Sequence, residues 1–519
     1  MRDYRYFFVM MLIMMLFGTA AALVSPFLLN LWSQDETGIN EARLLILFLA
    51  MVFSTAIEIL LIILREKFAK HYNMSNAQKY LGKMLAMKYD AIQEKGPINL
   101  IERVQQAVNE LYFFMTGAYI SIWSNGLALL VILGLFFYKN MLVGAIMMVM
   151  LPVNYFGYKL LNRELARRSK KLQENSATAY QHIMSYVGQT DYLKQCDSYE
   201  NLFKQMKPAY ELLYTSMRDI NIYARSVSSA LQAVNRIAET ISMAILVWNY
   251  MQAETGSVTL VLVAILFPMY FNYLNSVVNA NLSRQGLKVS MDFVVEMDEQ
   301  RESDGMEEVE RVDNIRFSID ELKIAEKTLA REIEGSFERG DVVWVRGESG
   351  VGKSSLVKLL VKFRENEGIY VNGKDIRCFT NSSLRKRVDY LSQNVPIVKG
   401  SLRDNLSFNC SWSTEREEEL KREPLLAGVL QRHGLDDEIE ENGANLSGGE
   451  KQKIALARVL HRDVDVMILD EFTSNIDKET ALDMLNTVVK NSRNKILFII
   501  SHDDLPGKYA NKEVSLTGI

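Results

Sequence analysis

Hydrophobic and polar positions alternate with two different rhythms in the two halves of this chain. Long apolar runs occupy residues 7–31, 44–64, 111–138, 141–158, 231–250 and 258–282. Each approaches the roughly 20 residues that a helix needs to cross the hydrocarbon of a bilayer, so six spanning helices are expected. Arg236 and Glu239 interrupt the fifth run, one helical turn apart and placed to pair inside a bundle. Past residue 314 the apolar runs shorten to 342–345, 466–469 and 496–500, separated by amphipathic stretches. Short runs of this kind read as buried parallel strands alternating with helices.

The connections after the second and fourth runs are long and rich in helix formers, so the spanning helices are expected to continue beyond the bilayer as rods. Residues 296–313 are acidic and broken by Gly305, which reads as a linker. The expected organisation is a membrane domain over 1–295, the linker 296–313, and an α/β domain over 314–519.

Charge gives the orientation. Asp35, Glu36 and Glu41 follow the first run and Glu254 the fifth, with little positive charge beside them. Arg65, Lys67, Lys70, Lys79, Lys83 and Lys88 follow the second, and Lys159, Arg163, Arg167, Arg168, Lys170 and Lys171 the fourth. The positive-inside rule then puts both termini in the cytoplasm. Arg2 and Arg5 ahead of an apolar stretch imitate a signal peptide, but the run continues through Leu31, well past a secretory core of about 7–15 residues, so a retained helix in the cell membrane is expected.

With 519 residues, 49% of them hydrophobic, and a net charge of −4, the chain has room for several domains and lacks the basic stripe of a nucleic-acid binder. Cys196, Cys378 and Cys410 lack metal-ligand spacing and read as unpaired thiols, and the five histidines show no zinc pattern.

The chemistry is concentrated in the second half. Gly347-Glu348-Ser349-Gly350-Val351-Gly352-Lys353-Ser354 fits G-x-x-x-x-G-K-[ST] between an apolar strand and an amphipathic helix that continues with Ser355. Such a loop curls its N–H groups around phosphates, the lysine adds a charge near the β/γ phosphates, and the Ser354 hydroxyl suits Mg²⁺. The run ending in Asp470-Glu471 places one carboxylate to hold Mg²⁺ through water and the next to orient the attacking water.

Together with Leu446-Ser447-Gly448-Gly449-Glu450-Lys451-Gln452, these motifs resemble the ATP-binding cassette (ABC) family. The resemblance implies two facing cassettes, with Ser447, Gly448 and Gly449 of one completing the ATP site on the P-loop of the other. It marks Gln393 as a sensor of metal and membrane domain, Asp477 as the D-loop residue of the ATP site, His502 as the switch histidine at the γ-phosphate, and Glu441-Asn442-Gly443 as the extra loop of exporters. Cross helices that dock on cassettes are implied near 89–95 and 191–199. One departure concerns adenine: the stretch around Leu322-Lys323-Ile324-Ala325 has no aromatic residue to stack on the base. The chain runs only a little beyond His502, with 513–516 as its last expected strand.

For cargo, Asn272, Asn275 and Asn279 share one face of the sixth run, with Tyr270, Tyr273, Asn154 and Asn125 as candidate company. Interhelical hydrogen bonding is an equal alternative to substrate contact. Glu58, inside the second run, needs a partner, a proton or a cavity, and Arg236 is one candidate partner. Pro26, Pro152 and Pro268 are positions for kinks. The resemblance implies a multidomain membrane protein: an all-α six-helix transmembrane domain with long helical extensions, followed by an α/β P-loop ATPase. As a dimer of half-transporters, homomeric or heteromeric, it would use ATP and Mg²⁺ to export a peptide, lipid or amphipathic compound. The alternative is a membrane-anchored ATPase that senses or regulates a partner without moving cargo.

Overall fold

The computed structural model describes residues 9, 10, 13, 14, 17, 28, 32, 40–188, 190–196, 198–252, 257–324, 327–408, 412–474 and 476–517. Most of the first expected span, with Pro26, Asp35, Glu36, Glu254, Ala325, Cys410 and Asn475, lies outside the described residues. The chain divides into two compact units, one of residues 1–85 and 98–298, the other of 86–97 and 299–519.

The first unit is helical. Its helices are α1 (Glu41–Leu85), then, after a short α2 (Tyr89–Lys95) that belongs to the second unit, α3 (Pro97–Phe113), α4 (Tyr119–Lys139), α5 (Met141–Val187), α6 (Thr190–Leu193), α7 (Glu200–Met251) and α8 (Ser257–Glu299). Five helical stretches among the described residues are long and apolar enough to cross a membrane, and each overlaps one of the second to sixth apolar runs. The expected rods are present as continuous helix: α1 has 45 residues, α5 47 and α7 52.

Only Asn140 separates α4 from α5. Its extended backbone stops one helix, and its side chain accepts from the N–H groups of Leu142 and Val143 (3.0 and 3.1 Å), starting the next. The core of this unit joins Ile132 and Phe136 of α4, Val143 and Met147 of α5, Leu246 of α7, and Leu266, Phe267 and Tyr270 of α8. Phe136 stacks on Phe267 with centroids 5.2 Å apart, and the Tyr270 hydroxyl donates to the Met147 carbonyl at 2.7 Å. Helices α5 and α7 approach closely where Gly157 meets Leu231, since a Cβ there would lie 2.4 Å from the leucine. A π-helical turn, Phe114–Ala118, joins α3 to α4, and Arg65 Nη1 donates to the Thr116 carbonyl within it (3.1 Å).

Arg236 and Glu239 form no ion pair among the described residues; Arg236 is exposed and Glu239 partly so, and neither is enclosed by the bundle that would have forced them together. The cross helix near 89–95 is α2. The one near 191–199 is shorter than expected, because helix ends at Leu193 and the chain is irregular until α7.

The second unit has two main sheets. Strands β1 (Asn314–Ile324), β2 (Lys327–Glu338), β4 (Ile369–Val371) and β5 (Lys374–Asp375) form an antiparallel sheet in the order β2-β1-β4-β5. Strands β3 (Val342–Gly347), β6 (Val388–Leu391), β9 (Val466–Asp470), β10 (Ile496–Ile500) and β11 (Lys512–Leu516) form a parallel sheet in the order β11-β3-β10-β9-β6. A minor pair, β7 (Gly400–Ser401) and β8 (Glu438–Ile439), stands apart. Every residue of β9 and β10 is buried, which is why both read as unbroken apolar runs. Phe317, Phe337 and Phe498 pack between the two main sheets with centroids 5.2–5.9 Å apart. The helices are α9 (Lys353–Leu360), α10 (Asn381–Arg387), α11 (Leu402–Ser407), α12 (Thr414–Arg422), α13 (Ala427–Arg432), α14 (Gly448–Leu460) and α15 (Lys478–Asn491).

The stretch read as linker behaves differently from a tether. Helix α8 runs into it as far as Glu299, and the remainder is pinned along the second unit. Val309 and Val312 are buried, and their N–H groups donate to Ser383 Oγ (3.1 Å) and Asp465 Oδ2 (2.9 Å). Its acidic composition hid the two valines that anchor it.

Candidate functional site

Sheet register brings the distant motifs to one edge. Ile500 pairs with both Val345 and Asp470, and Leu391 with Leu469, so β3, β10, β9 and β6 end side by side. The segments leaving those ends are the P-loop, Ser501-His502, Glu471 and Ser392-Gln393. Ligands gather at such carboxyl edges of parallel sheets because the loops there converge.

The P-loop curls through Gly350 (φ 82°) and Gly352 (φ 103°), left-handed positions that only glycine adopts without strain. Lys353 opens α9, and its Nζ donates to the carbonyls of Gly347 (2.8 Å) and Glu348 (2.9 Å). Burial lowers the pKa of this ammonium, while Glu471 and Asp470 work to raise it. Ser354 and Ser355 follow in the first turn of α9, where Ser355 Oγ accepts from Arg364 (3.0 Å). Val351 is buried, and Ser349 stands exposed at the tip of the loop.

Glu471 has a left-handed backbone, φ 49°, rare for a side chain of its size. Such a conformation costs about 1–3 kcal/mol and persists where surroundings over-determine it. Here its N–H donates to the Ile500 carbonyl (2.9 Å), Gln393 Nε2 donates to Oε2 (2.6 Å), and His502 Nε2 lies 2.8 Å from Oε1. Both carboxylate oxygens are therefore engaged by residues 78 and 31 positions away in sequence.

Asp470 is 3% exposed. Its Oδ2 accepts from the Tyr390 hydroxyl (2.8 Å), while Oδ1 is buried with no partner among the described residues. A buried carboxylate oxygen left free costs desolvation without return unless something else approaches it. No cluster of three or more His, Cys, Asp or Glu side chains that could hold a metal occurs among the described residues. The free Asp470 oxygen fits Mg²⁺, which is commonly held by one or two carboxylates plus substrate phosphates and water.

Ser447 caps α14: its Oγ accepts from the Glu450 N–H (3.3 Å) and Glu450 accepts from the Ser447 N–H (2.9 Å), a reciprocal capping box. Ser447 and Gly448 are exposed and Gly449 partly so, and no hydrogen bond joins these three to the P-loop among the described residues. Gln452 Nε2 ties this helix to the Ser474 carbonyl (2.7 Å), and Arg458, whose pKa burial pushes down to about 10, donates to the Pro396 carbonyl (2.7 Å) and to that of Asn405. Asp477 caps α15 by accepting from the Thr480 N–H (2.9 Å). A Cβ at Gly352 would meet the side chains of Leu322 and Leu329.

The expected polar positions of the helical unit separate. Asn275 accepts from the Tyr158 hydroxyl (2.9 Å), whereas Asn272 and Asn279 are exposed. Glu58 is exposed and forms no ion pair among the described residues; the pairing considered with Arg236 is absent, and both side chains are exposed rather than buried against each other. Asn154 finds an unanticipated partner in Asn235: their amides exchange hydrogen bonds of 2.8 and 3.1 Å, fully buried. Asn235 stands beside the Arg236 that interrupted the fifth apolar run, which was its one sequence signal. Cys196 and Cys378 are exposed free thiols.

A P-loop sheet with a carboxylate pair at its edge, carried by a chain with membrane-length helices, defines a membrane-integral ATPase. The family model for the ABC transporter transmembrane region matches residues 8–278, and that for ABC transporter matches 330–474. The chain thus belongs to the ABC transporter family, binds ATP, and couples its hydrolysis to transport. It is 25% identical over 462 residues to the ATP-dependent lipid A-core flippase of Escherichia coli (strain K12), covering 83% of this chain and 76% of that protein. With the flippase of the same description from Vibrio parahaemolyticus it shares 26% over 428 residues, 78% of this chain and 71% of the relative. Its fold is similar to that of a bacterial Atm1-family ABC exporter with ATP bound, at a TM-score of 0.83 and 19% identity over 99% of this chain and 93% of the other.

Proposed function

We propose that this chain is one half of a dimeric exporter that moves a lipid or other amphipathic compound across the membrane, with its cassette and both termini in the cytoplasm. The observation that carries the reading is Glu471, held between Gln393 and His502 at the mouth of the P-loop. In that arrangement Glu471 orients and polarises the water that attacks the γ-phosphate, His502 contacts that phosphate, and Gln393 links the site to the membrane domain. Lys353 exchanges the carbonyls of Gly347 and Glu348 for phosphate oxygens. Ser354 and Asp470 hold Mg²⁺, which neutralises phosphate charge. The exposed signature, Ser447 to Gly449, completes the site of a second copy or a close relative, and Asp477 lies beside that contact.

The lipid preference follows the flippases that the chain resembles, and the exposed amides Asn272 and Asn279 of α8 offer polar contacts beside its apolar run. Relatives named as flippases favour transport over the reading as a sensor without cargo. In proteoliposomes, the wild type is expected to redistribute a fluorescent phospholipid between leaflets only with ATP, and Glu471→Gln to fail. ATP turnover with no ATP-dependent redistribution of phospholipid would remove the lipid reading.

A further inference from the structure

A line of aromatic contacts connects α2 with Asp470. Tyr89, the first residue of α2, stacks on Phe363 with centroids 5.2 Å apart and planes 4° from parallel. Phe363 meets Tyr390 edge-on, at 6.2 Å and 87°, and Tyr390 donates its hydroxyl proton to Asp470 Oδ2 (2.8 Å). The Tyr89 ring is gripped further by Lys358 (5.2 Å) and Arg364 (5.8 Å), and Arg364 pairs with Asp90 of α2 at 2.7 Å. Lys358 stands on α9, the helix that the P-loop opens.

Tyr390 has a role to fill. With Oδ2 tied, the carboxylate of Asp470 is held in one rotamer and its Oδ1 is left free. Partners that orient a metal-binding carboxylate in this way are worth about 10–100-fold in metal affinity. Phe363 and Tyr390 both pack on the buried core of the unit, so a displaced Tyr89 ring transmits to them as a shift of packed rings rather than being absorbed by solvent.

We propose that Tyr390 is a positioning residue that sets Asp470 for Mg²⁺, and that the Tyr89–Phe363 stack makes this setting depend on the seating of α2. The proposal rests on Asp470 being the metal-side carboxylate. It places the link between cross helix and metal in ring contacts and one hydrogen bond, independent of Gln393.

The test is Mn²⁺ binding, followed by electron paramagnetic resonance in full-length protein in lipid nanodiscs saturated with a non-hydrolysable ATP analogue. Affinity for the analogue in EDTA is measured in parallel. Tyr390→Phe is expected to weaken Mn²⁺ on the order of 10-fold while leaving metal-free analogue affinity unchanged. Tyr89→Ala is expected to weaken Mn²⁺ about 3-fold, as loss of one aromatic pair implies, and Tyr89→Phe to match the wild type. Wild-type Mn²⁺ affinity in Tyr390→Phe overturns the positioning role, and so does an equal loss of metal-free binding, which marks general disruption. Wild-type affinity in Tyr89→Ala overturns the link to α2. Asp470→Asn separates the two levels: retained Mn²⁺ affinity there sinks the assignment of Asp470 itself, whereas its loss beside an unaffected Tyr390→Phe sinks this inference alone.

Discussion

The apolar run 44–64 of helix α1 and the apolar residues of strand β9 are disposed of in opposite ways. Phe48, Phe53 and Leu60 of α1 are 62%, 67% and 56% exposed, while Ile468 and Leu469 of β9 are completely buried. The cassette satisfies its apolar residues from its own chain, by parallel pairing on both sides of β9. Helix α1 leaves its own facing outward, where lipid can take the place of a protein core. Polar groups follow the same division. Those at the cassette's strand ends are gathered into one reactive cluster, whereas Asn154 and Asn235 of the helices satisfy each other.

The sharpest test removes the chemistry of the cassette while sparing the helices. Lys353→Ala is expected to lower ATP affinity and Glu471→Gln to keep ATP bound while losing at least about 100-fold in turnover, on the scale of a lost transition-state group. Nucleotide binding and phosphate release read the two separately, and wild-type turnover in Glu471→Gln would remove that residue from catalysis. The next largest effect belongs to lipid. Phe53→Lys should cost insertion about 3–4 kcal/mol on the translocon scale although Phe53 is exposed. Val398→Lys, at a 39% exposed position of the cassette, should stay within about 0.5 kcal/mol. Equal effects in an insertion assay and in cassette unfolding would erase the contrast between the two surfaces. The smallest effect concerns the amide pair: Asn154→Leu is expected to cost about 1–2 kcal/mol, and the double change Asn154→Leu/Asn235→Leu less than the sum, because the orphaned amide is then gone. Additive losses in detergent unfolding would mean that the two side chains act independently.

Much of the molecule was legible in local pattern. The second to sixth apolar runs became long helices, the run before Asp470 became a buried strand, and 513–516 fell in β11. Less legible were features set by pairs far apart. Tyr390 stands on β6 shortly before Gln393, and nothing near it in the sequence announces Asp470, 80 positions on. Of three amides on one helical face, the one committed to Tyr158 is invisible in their spacing.

By itself the sequence determined where the long apolar helices and the buried strands β3, β9 and β10 lie, which loop has the P-loop pattern, and which family the motifs resemble. Periodicity, glycine placement and short motifs act through neighbours in the chain, so they are readable there. Tertiary structure alone decided that Glu471 lies between Gln393 and His502, that Asp470 keeps one oxygen free, and that Val309 and Val312 hold down an acidic stretch that looked loose. The order β3-β10-β9-β6 sets those meetings, and strand order comes from crossover connections and burial on both faces of a sheet, which no local stretch of residues encodes.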